Sequence, residues 1–301
     1  MLSEMPLGAL AIIRSAAAYC WSRPAMRPTA EQVILVTGAT DGLGRAVATR
    51  LAERGATLLL HGRDETRLAD TVQRIGARRG TEKLRTYRSD FSSLAEVRDM
   101  AERIERVEER IDVIVNNAGV GSTLPGDGER VESRDGYELR FAVNYLAHFL
   151  LTRRLRSLIV RSAPARIVNV SSAGQAPIDF NDVMLERSYD GTRAYCQSKL
   201  AQIMFTFDLA EELRDAGITV NCLHPASLMP TKIVMHARGA AISTLEEGLD
   251  ATLRLVADPE LDRITGLYFD GRDEAQANPQ AYNPDARRRL RELSERLVGL
   301  G

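Results

Sequence analysis

The chain is 301 residues long, enough for one large domain or two small ones with a complete hydrophobic core. Its 44% hydrophobic and 27% charged content excludes the disordered, collagenous and multi-span membrane classes. With 40 Lys+Arg against 41 Asp+Glu, a net charge of −1, no overall basic field exists to recruit nucleic acid or an anionic membrane.

Cys20, Cys196 and Cys222 have neither CxxC spacing nor an even count, which points to no disulfide framework, no bound metal and a reducing, cytoplasmic setting. Lysine is scarce: Lys83, Lys199 and Lys232 stand among many arginines, a bias that reads as GC-rich codon usage. Residues 1–30 read as an N-terminal extension. Its apolar stretch 6–21 is broken by Arg14 and preceded by Glu4 rather than a basic start. It is shorter than the roughly 20 residues of a membrane-spanning helix, so no integral span is expected. The remaining readings are a helix packing on the domain or a partner, a true start at Met26, and peripheral membrane contact.

From residue 31 onward short β-branched runs alternate with longer amphipathic stretches. The runs are Val33–Val36, Thr57–Leu60, Leu84–Tyr87, Val113–Val115, Ile167–Val170, Ile218–Leu223 and Leu267–Phe269. Continuous hydrophobicity marks strands covered on both faces. The helical stretches are 43–54, 65–78, 94–109, 137–160, 194–215 and 244–257. This alternation predicts a single α/β domain over 31–301, a doubly wound (Rossmann) parallel sheet of about seven strands with right-handed crossovers.

Thr37 to Gly44, TGATDGLG, follows the first strand and opens a helix. Gly38, Gly42 and Gly44 allow a tight turn in which backbone N–H groups and the helix dipole meet a pyrophosphate. The loop therefore predicts a dinucleotide site at Gly38, Thr40, Asp41, Gly42, Leu43 and Gly44. The second strand ends His61-Gly62-Arg63, without the acid that bonds the ribose hydroxyls in an NAD site. Arg63 can bond a 2′-phosphate instead, which favours NADPH over NADH. Asp64 reads as the cap of the next helix.

Asn116-Asn117-Ala118-Gly119 follows the fourth strand, Ser171-Ser172 the fifth, and Tyr195-x3-Lys199 lies on a helix before the sixth. All three belong to the carboxyl rim of the sheet, where such folds bind ligands, and Tyr195 and Lys199 share a helix face. TGATDGLG, Ser89–Phe91, NNAG, Asn144, Ser172 and YCQSK together resemble the short-chain dehydrogenase/reductase family, over essentially all of 31–301. RFAVNYLAHFLLT, RIVNVSSAG and AYCQSKLAQIMFTFDLAEEL are most similar to its retinol-dehydrogenase-like branch.

The resemblance implies a carbonyl–alcohol oxidoreductase using NADPH/NADP+, with catalytic residues Asn144, Ser172, Tyr195 and Lys199. Tyrosine titrates near 10, and Lys199 together with the oxidised nicotinamide should lower that value. Tyr195 would then pass a proton to or from the substrate oxygen while Ser172 stabilises its charge. Lys199 would also bind the nicotinamide ribose, and Asn144 would hold a water leading from Lys199 to solvent. Asp90, Phe91, Asn117, Ala118 and Gly119 would line the adenosine side, and Pro225 and Thr231 the carboxamide. His148 reads as a packing or supporting group, and His224 closes the sixth strand.

Pro225-Ala226 departs from the family's Pro-Gly. The apolar residues Leu228, Met229, Ile233, Val234 and Met235 suggest a lipophilic small-molecule substrate, and the insert 175–192 the opposite wall. A redox-neutral enzyme on the same fold and a non-catalytic NADP(H) sensor remain as alternatives. The resemblance also implies a homodimer or homotetramer formed through helices 137–160 and 194–215.

Overall fold

The computed structural model describes residues 25–123, 129–230 and 241–300. Residues 1–24, with Cys20, and the loop residues Thr231, Ile233, Val234 and Met235 lie outside the described residues. Met26 packs against the core, and Gln32 donates to the Arg27 carbonyl at 2.7 Å. The last residues of the expected extension thus belong to the domain.

Every apolar run becomes a strand: β1 (Val33–Val36), β2 (Thr57–Gly62), β3 (Leu84–Arg88), β4 (Val113–Asn116), β5 (Ala165–Val170), β6 (Ile218–His224) and β7 (Tyr268–Asp270). They lie in the order β3-β2-β1-β4-β5-β6-β7, all parallel. An eighth strand, β8 (Asp273–Ala275), returns antiparallel on β7. The sequence reading missed β8 because Asp-Glu-Ala has no apolar run. Its signal is the Gly271-Arg272 turn, with Gly271 at φ +60°, a conformation that two-residue hairpins require.

Helices α1 (Gly42–Glu53), α2 (Glu65–Arg79), α3 (Leu94–Val107), α7 (Gly191–Leu213) and α8 (Leu245–Ala257) match the amphipathic stretches. Asp64 caps α2 by accepting from the Arg67 N–H, as read from sequence, and Asp190 caps α7 through Arg193 at 2.6 Å. The stretch 137–160 is broken instead of continuous. It forms α4 (Leu139–Phe141), a π-helical turn (Ala142–Leu146), α5 (Ala147–Arg154) and α6 (Arg156–Arg161).

A further helix, α9 (Pro284–Val298), lies in a tail not assigned a helix from sequence. Asn283 caps it with bonds from the Asp285 and Ala286 N–H groups, and Leu290, Ser294 and Val298 face inward at helical spacing. It packs on the π-helical turn and α7: Tyr145 and Ser294 hydroxyls meet at 2.7 Å, and Arg291 bonds Asp208 at 2.7 Å. Residues 142–152 and 197–207 are buried without exception inside one chain. No helix among the described residues is long and apolar enough to cross a membrane.

Arg140, wholly buried, ties the walls of the crevice together. It donates to the Gly121 and Ser122 carbonyls at 2.9 and 2.8 Å and to the Tyr189 hydroxyl at 2.5 Å, and pairs with buried Glu138. Removing one partner of a buried ion pair strands the other, at a cost of about 3–5 kcal/mol. Arg140→Met should therefore lower the unfolding free energy from urea titration by a margin of that order, and an unchanged value would show the pair to be dispensable.

Candidate active site

The site begins where β1 and β4, neighbours in the sheet, send their connections in opposite directions, the crevice at which doubly wound folds bind ligands. Gly38 adopts φ +65°, and a Cβ there would lie 2.9 Å from Ala118 Cα. At Gly44 a Cβ would lie 2.2 Å from the Gly38 carbonyl oxygen. Only glycine lets the loop after β1 press so closely on the turn after β4. The Thr37 hydroxyl seals the junction by accepting from the Asn117 and Ala118 N–H groups at 2.8 and 3.0 Å. Asn117 Nδ2 donates to the Thr37 carbonyl at 2.8 Å.

His61 has a role that sequence reasoning missed. Its Nδ1 accepts from the Gly38 N–H at 3.1 Å, and its Nε2 bonds the Ser89 carbonyl at 3.0 Å. A carbonyl only accepts, so the proton sits on Nε2. Burial pushes the imidazole down to about 4, so it stays neutral and holds the loop. The available signal was a histidine one residue before a strand-end glycine, facing the loop after β1. Its ring stacks on Phe91 at 4.1 Å. Phe91 and Leu43 are both buried, so of the expected coenzyme contacts these two have little but backbone to offer.

A Cβ at Gly62 would meet Thr40 Cγ2 at 2.5 Å, so the β2 end and the glycine loop also touch, leaving Arg63 exposed beside them. Asp41 accepts from the Gly42 N–H at 2.9 Å and caps α1. Asp90 accepts from the Ser92 N–H at 3.0 Å at the β3 end. Gly119 is exposed at the rim. These features fit a dinucleotide: a helix N-terminus for the pyrophosphate, a free arginine beyond it, and a glycine-tight junction that brings both to one crevice.

At the other end of the crevice stand Ser172 and Tyr195. Ser172 Oγ accepts from the Gly174 N–H at 3.0 Å, and a Cβ built on Gly174 would lie 3.4 Å from that oxygen and 3.7 Å from Tyr195 Cε1, so hydroxyl and phenol ring border one spot. Lys199 Nζ lies 5.8 Å from the Tyr195 ring centre and donates to the Val170 carbonyl at 3.0 Å and to Gln202 Oε1 at 2.9 Å. Burial pushes Tyr195 above its ordinary value, with Ser172 pulling it partly back. The expected lowering involved the oxidised nicotinamide as well as Lys199; within the chain alone the phenol's own burial prevails, and Lys199 is desolvated too, its ammonium brought down to about 7.

Asn144 sits in the π-helical turn. Its Oδ1 accepts from the Val120 N–H at 2.8 Å, and its Nδ2 donates to the Val120 carbonyl at 3.1 Å and to Ser198 Oγ at 2.9 Å. The side chain thus braces the turn after β4. His148, one turn on, is buried and pushed down to about 3 by desolvation and by the Lys199 charge. Gln202, three residues after Lys199, is a second group that the sequence reading overlooked. Its signal was an amide on the lysine's own helix face.

Pro225 follows β6 and is buried. The Ala226 methyl packs against the buried cluster under α8. Met229, expected along the substrate loop, turns inward, its Sδ 2.2 Å from where a Gly248 Cβ would stand, so its thioether fills core. Among the described residues no group of His, Cys, Asp or Glu could hold a metal ion, and Cys196 and Cys222 are free thiols.

The Lys199 ammonium gives a test with a defined sign. Its folded value of about 7 lies below the unfolded value of about 10.4. Between the two the unfolded chain holds the extra proton, so stability rises with pH, and the penalty is full below about pH 7. Lys199→Met should raise the calorimetric melting temperature most at about pH 6, with the gain shrinking by about pH 9.5. An equal gain at both would mean that the ammonium is not desolvated.

The short chain dehydrogenase family model matches residues 32–241. Retinol dehydrogenase 13 of Mus musculus is 37% identical over 89% of this chain and 84% of its own length. Retinol dehydrogenase 14 of Homo sapiens is 34% identical, with 89% and 87% covered. The crystal structure of a short chain dehydrogenase from Escherichia coli CFT073 complexed with NADPH superposes with a TM-score of 0.67 at 26% identity, over 83% of this chain and 100% of that one. Motif order, fold and relatives agree: the chain belongs to the short-chain dehydrogenase/reductase family, in its retinol-dehydrogenase-like branch, and is an NAD(P)-dependent oxidoreductase of CH–OH or C=O groups.

Proposed function

We propose that the protein is an NADPH-preferring oxidoreductase that interconverts a carbonyl and an alcohol on a lipophilic small molecule in the reducing cytosol. The observation that carries this is that Ser172 Oγ and the Tyr195 ring border one spot beside Gly174, with the Lys199 ammonium 5.8 Å from that ring, at the rim that the glycine loop shares. When bound, the coenzyme supplies the hydride; the chain supplies position and proton. Tyr195 Oη gives its proton to the substrate oxygen in reduction and takes it back in oxidation. Ser172 donates to the same oxygen as its charge develops, a contribution made in a site that excludes most water. Lys199 keeps positive charge near the phenol and opposes the burial that raises it. The loop from Gly38 to Gly44 and the turn Asn117–Gly119 would hold the coenzyme, with Arg63 beside the adenosine end.

Relatives named retinol dehydrogenases support a lipophilic alcohol or aldehyde, as do the apolar residues Leu228, Ile233, Val234 and Met235 of the sequence. NADP(H) in two solved short chain dehydrogenases of this fold supports the coenzyme. The test is consumption of NADPH against a panel of lipophilic aldehydes and ketones, retinal included. Tyr195→Phe should lower turnover about 100- to 10,000-fold, the range of general acid–base catalysis, with the Kd for NADPH within about twofold. Retained turnover in that variant would remove Tyr195 from the chemistry.

Arg63 tests the coenzyme preference separately. A bidentate guanidinium–phosphate pair contributes about 1.5–3 kcal/mol. Arg63→Ala should accordingly reduce the ratio of kcat/KM with NADPH to that with NADH by about tenfold or more. An unchanged ratio would assign the preference elsewhere.

A further inference from the structure

The segment that follows β5 runs from Ser172 past the phenol. A Cβ at Gly174 would lie 3.4 Å from Ser172 Oγ and 3.7 Å from Tyr195 Cε1. This stretch is a direct neighbour of both groups, and it belongs to no helix or strand. Its backbone bonds α7 directly through the Ala176 N–H and the Cys196 carbonyl at 3.3 Å, and it is held further along by two side-chain amides that lead to the C-terminal arm.

Gln175 Nε2 donates to the Ser172 carbonyl at 3.2 Å, and its Oε1 accepts from the Asn278 N–H at 2.7 Å. Gln280 reaches back from the arm. Its Oε1 accepts from the Ile178 N–H at 2.7 Å and its Nε2 donates to the Ile178 carbonyl at 3.1 Å. Each amide thus uses both ends on main chain, imitating the pairing that a neighbouring strand would offer. Tyr268 adds a hydroxyl bond to the Ser172 carbonyl at 3.3 Å.

The arm itself is firmly seated. Tyr282 packs on Phe207 of α7 with ring centres 5.3 Å apart, and Arg289 lies over Phe180 at 4.7 Å. At its far end Arg98 donates to the Val298 carbonyl at 2.7 Å, and Tyr137 to the Leu297 carbonyl at 3.0 Å. Asn278 and Gln280 belong to the short 3-10 turn, Pro279–Tyr282 with Asn278 as its cap, that leads into α9, so the two amides join the loop without regular structure to the seated start of the arm.

We propose that the C-terminal arm, residues 277–298, is a working wall of the active-site crevice, with Gln280 and Gln175 as positioning residues that hold segment 172–178 against Tyr195. This rests on the reading of Ser172 and Tyr195 as the reacting groups. Gln280 sets the outer part of the wall, where substrate would lie. Gln175 sets the Ser172 carbonyl, and with it the direction of the Ser172 hydroxyl. A loosened wall weakens substrate binding, and a misdirected hydroxyl slows the chemistry.

The test compares Gln280→Ala, Gln280→Glu and Gln175→Ala in the full chain by hydrogen exchange, steady-state kinetics and NADPH titration. Gln280→Ala should speed exchange of the 173–180 amides and raise KM for the carbonyl substrate about tenfold, with a smaller effect on kcat. Gln280→Glu keeps the acceptor for Ile178 N–H and loses the donor, so it should fall between Ala and the native residue. Gln175→Ala should act chiefly on kcat, lowering it about tenfold. NADPH affinity should stay within about twofold in all three.

Unchanged exchange at 173–180 in Gln280→Ala would overturn the proposal. So would a lower melting temperature with native kcat and KM in the folded enzyme, the mark of a brace that serves stability alone. If the native protein turns over no carbonyl or alcohol, the functional reading fails instead, and the exchange experiment still decides whether the arm holds the loop.

Discussion

A lysine ammonium held almost entirely out of water is the constraint around which the catalytic half of the molecule is arranged. Such a charge is tolerable only if its hydrogens are matched by acceptors, and Lys199 finds the Val170 carbonyl and the Gln202 amide. Everything else nearby is neutral. His148 is kept uncharged by burial and by the lysine itself, with Nδ1 on the Asn144 carbonyl at 3.0 Å and Nε2 on the Thr37 hydroxyl at 3.2 Å. Thr37 in turn fixes Asn117 and Ala118. The polar groups behind the phenol and those behind the glycine loop are therefore one buried chain. A displacement at either end has to be absorbed by close-packed neighbours rather than by solvent.

The π-helical turn explains how Asn144 enters this frame. An extra residue in one turn rotates the side chains that follow, a device often found at functional positions. Here it lets a single amide bond both the N–H and the carbonyl of Val120 as well as Ser198. The same helix then continues as α5, with no exposed face left along residues 147–152. α3 covers α5, and α9 covers part of α7.

What the sequence shows and what it hides divide along physical lines. The strands, α1 to α3, the glycine loop and the Tyr195–Lys199 spacing announce themselves through local periodicity or through motifs a few residues long. β8 hides because an edge strand can be polar, and the break in 137–160 hides because π geometry has no compositional mark. His61, Gln202, Gln175 and Gln280 hide for a different reason. Each is an ordinary polar residue whose meaning comes from a partner remote in sequence: 23 residues away for His61 and Gly38, 102 for Gln280 and Ile178. Met229 shows the reverse error, an apolar residue credited to a substrate loop when its thioether fills the core.

The two sides of the crevice are consequently built by different means. On the coenzyme side the decisive contacts are backbone against backbone at Gly38 and Gly44, with Gly62 pressed on the Thr40 methyl, and a Cβ at any of the three would collide with a neighbour. That geometry has little freedom to vary, as suits a ligand shared by a whole family. On the side where the substrate is proposed to lie, the loop from Ser172 to Ile178 is held by its own Gln175, bonded to Asn278, and by Gln280 from the C-terminal arm. Those side chains can be lengthened, shortened or exchanged without disturbing the sheet. A fold that keeps one chemistry while changing its substrates needs this asymmetry: a rigid half made by the absence of side chains, and an adjustable half made by their reach.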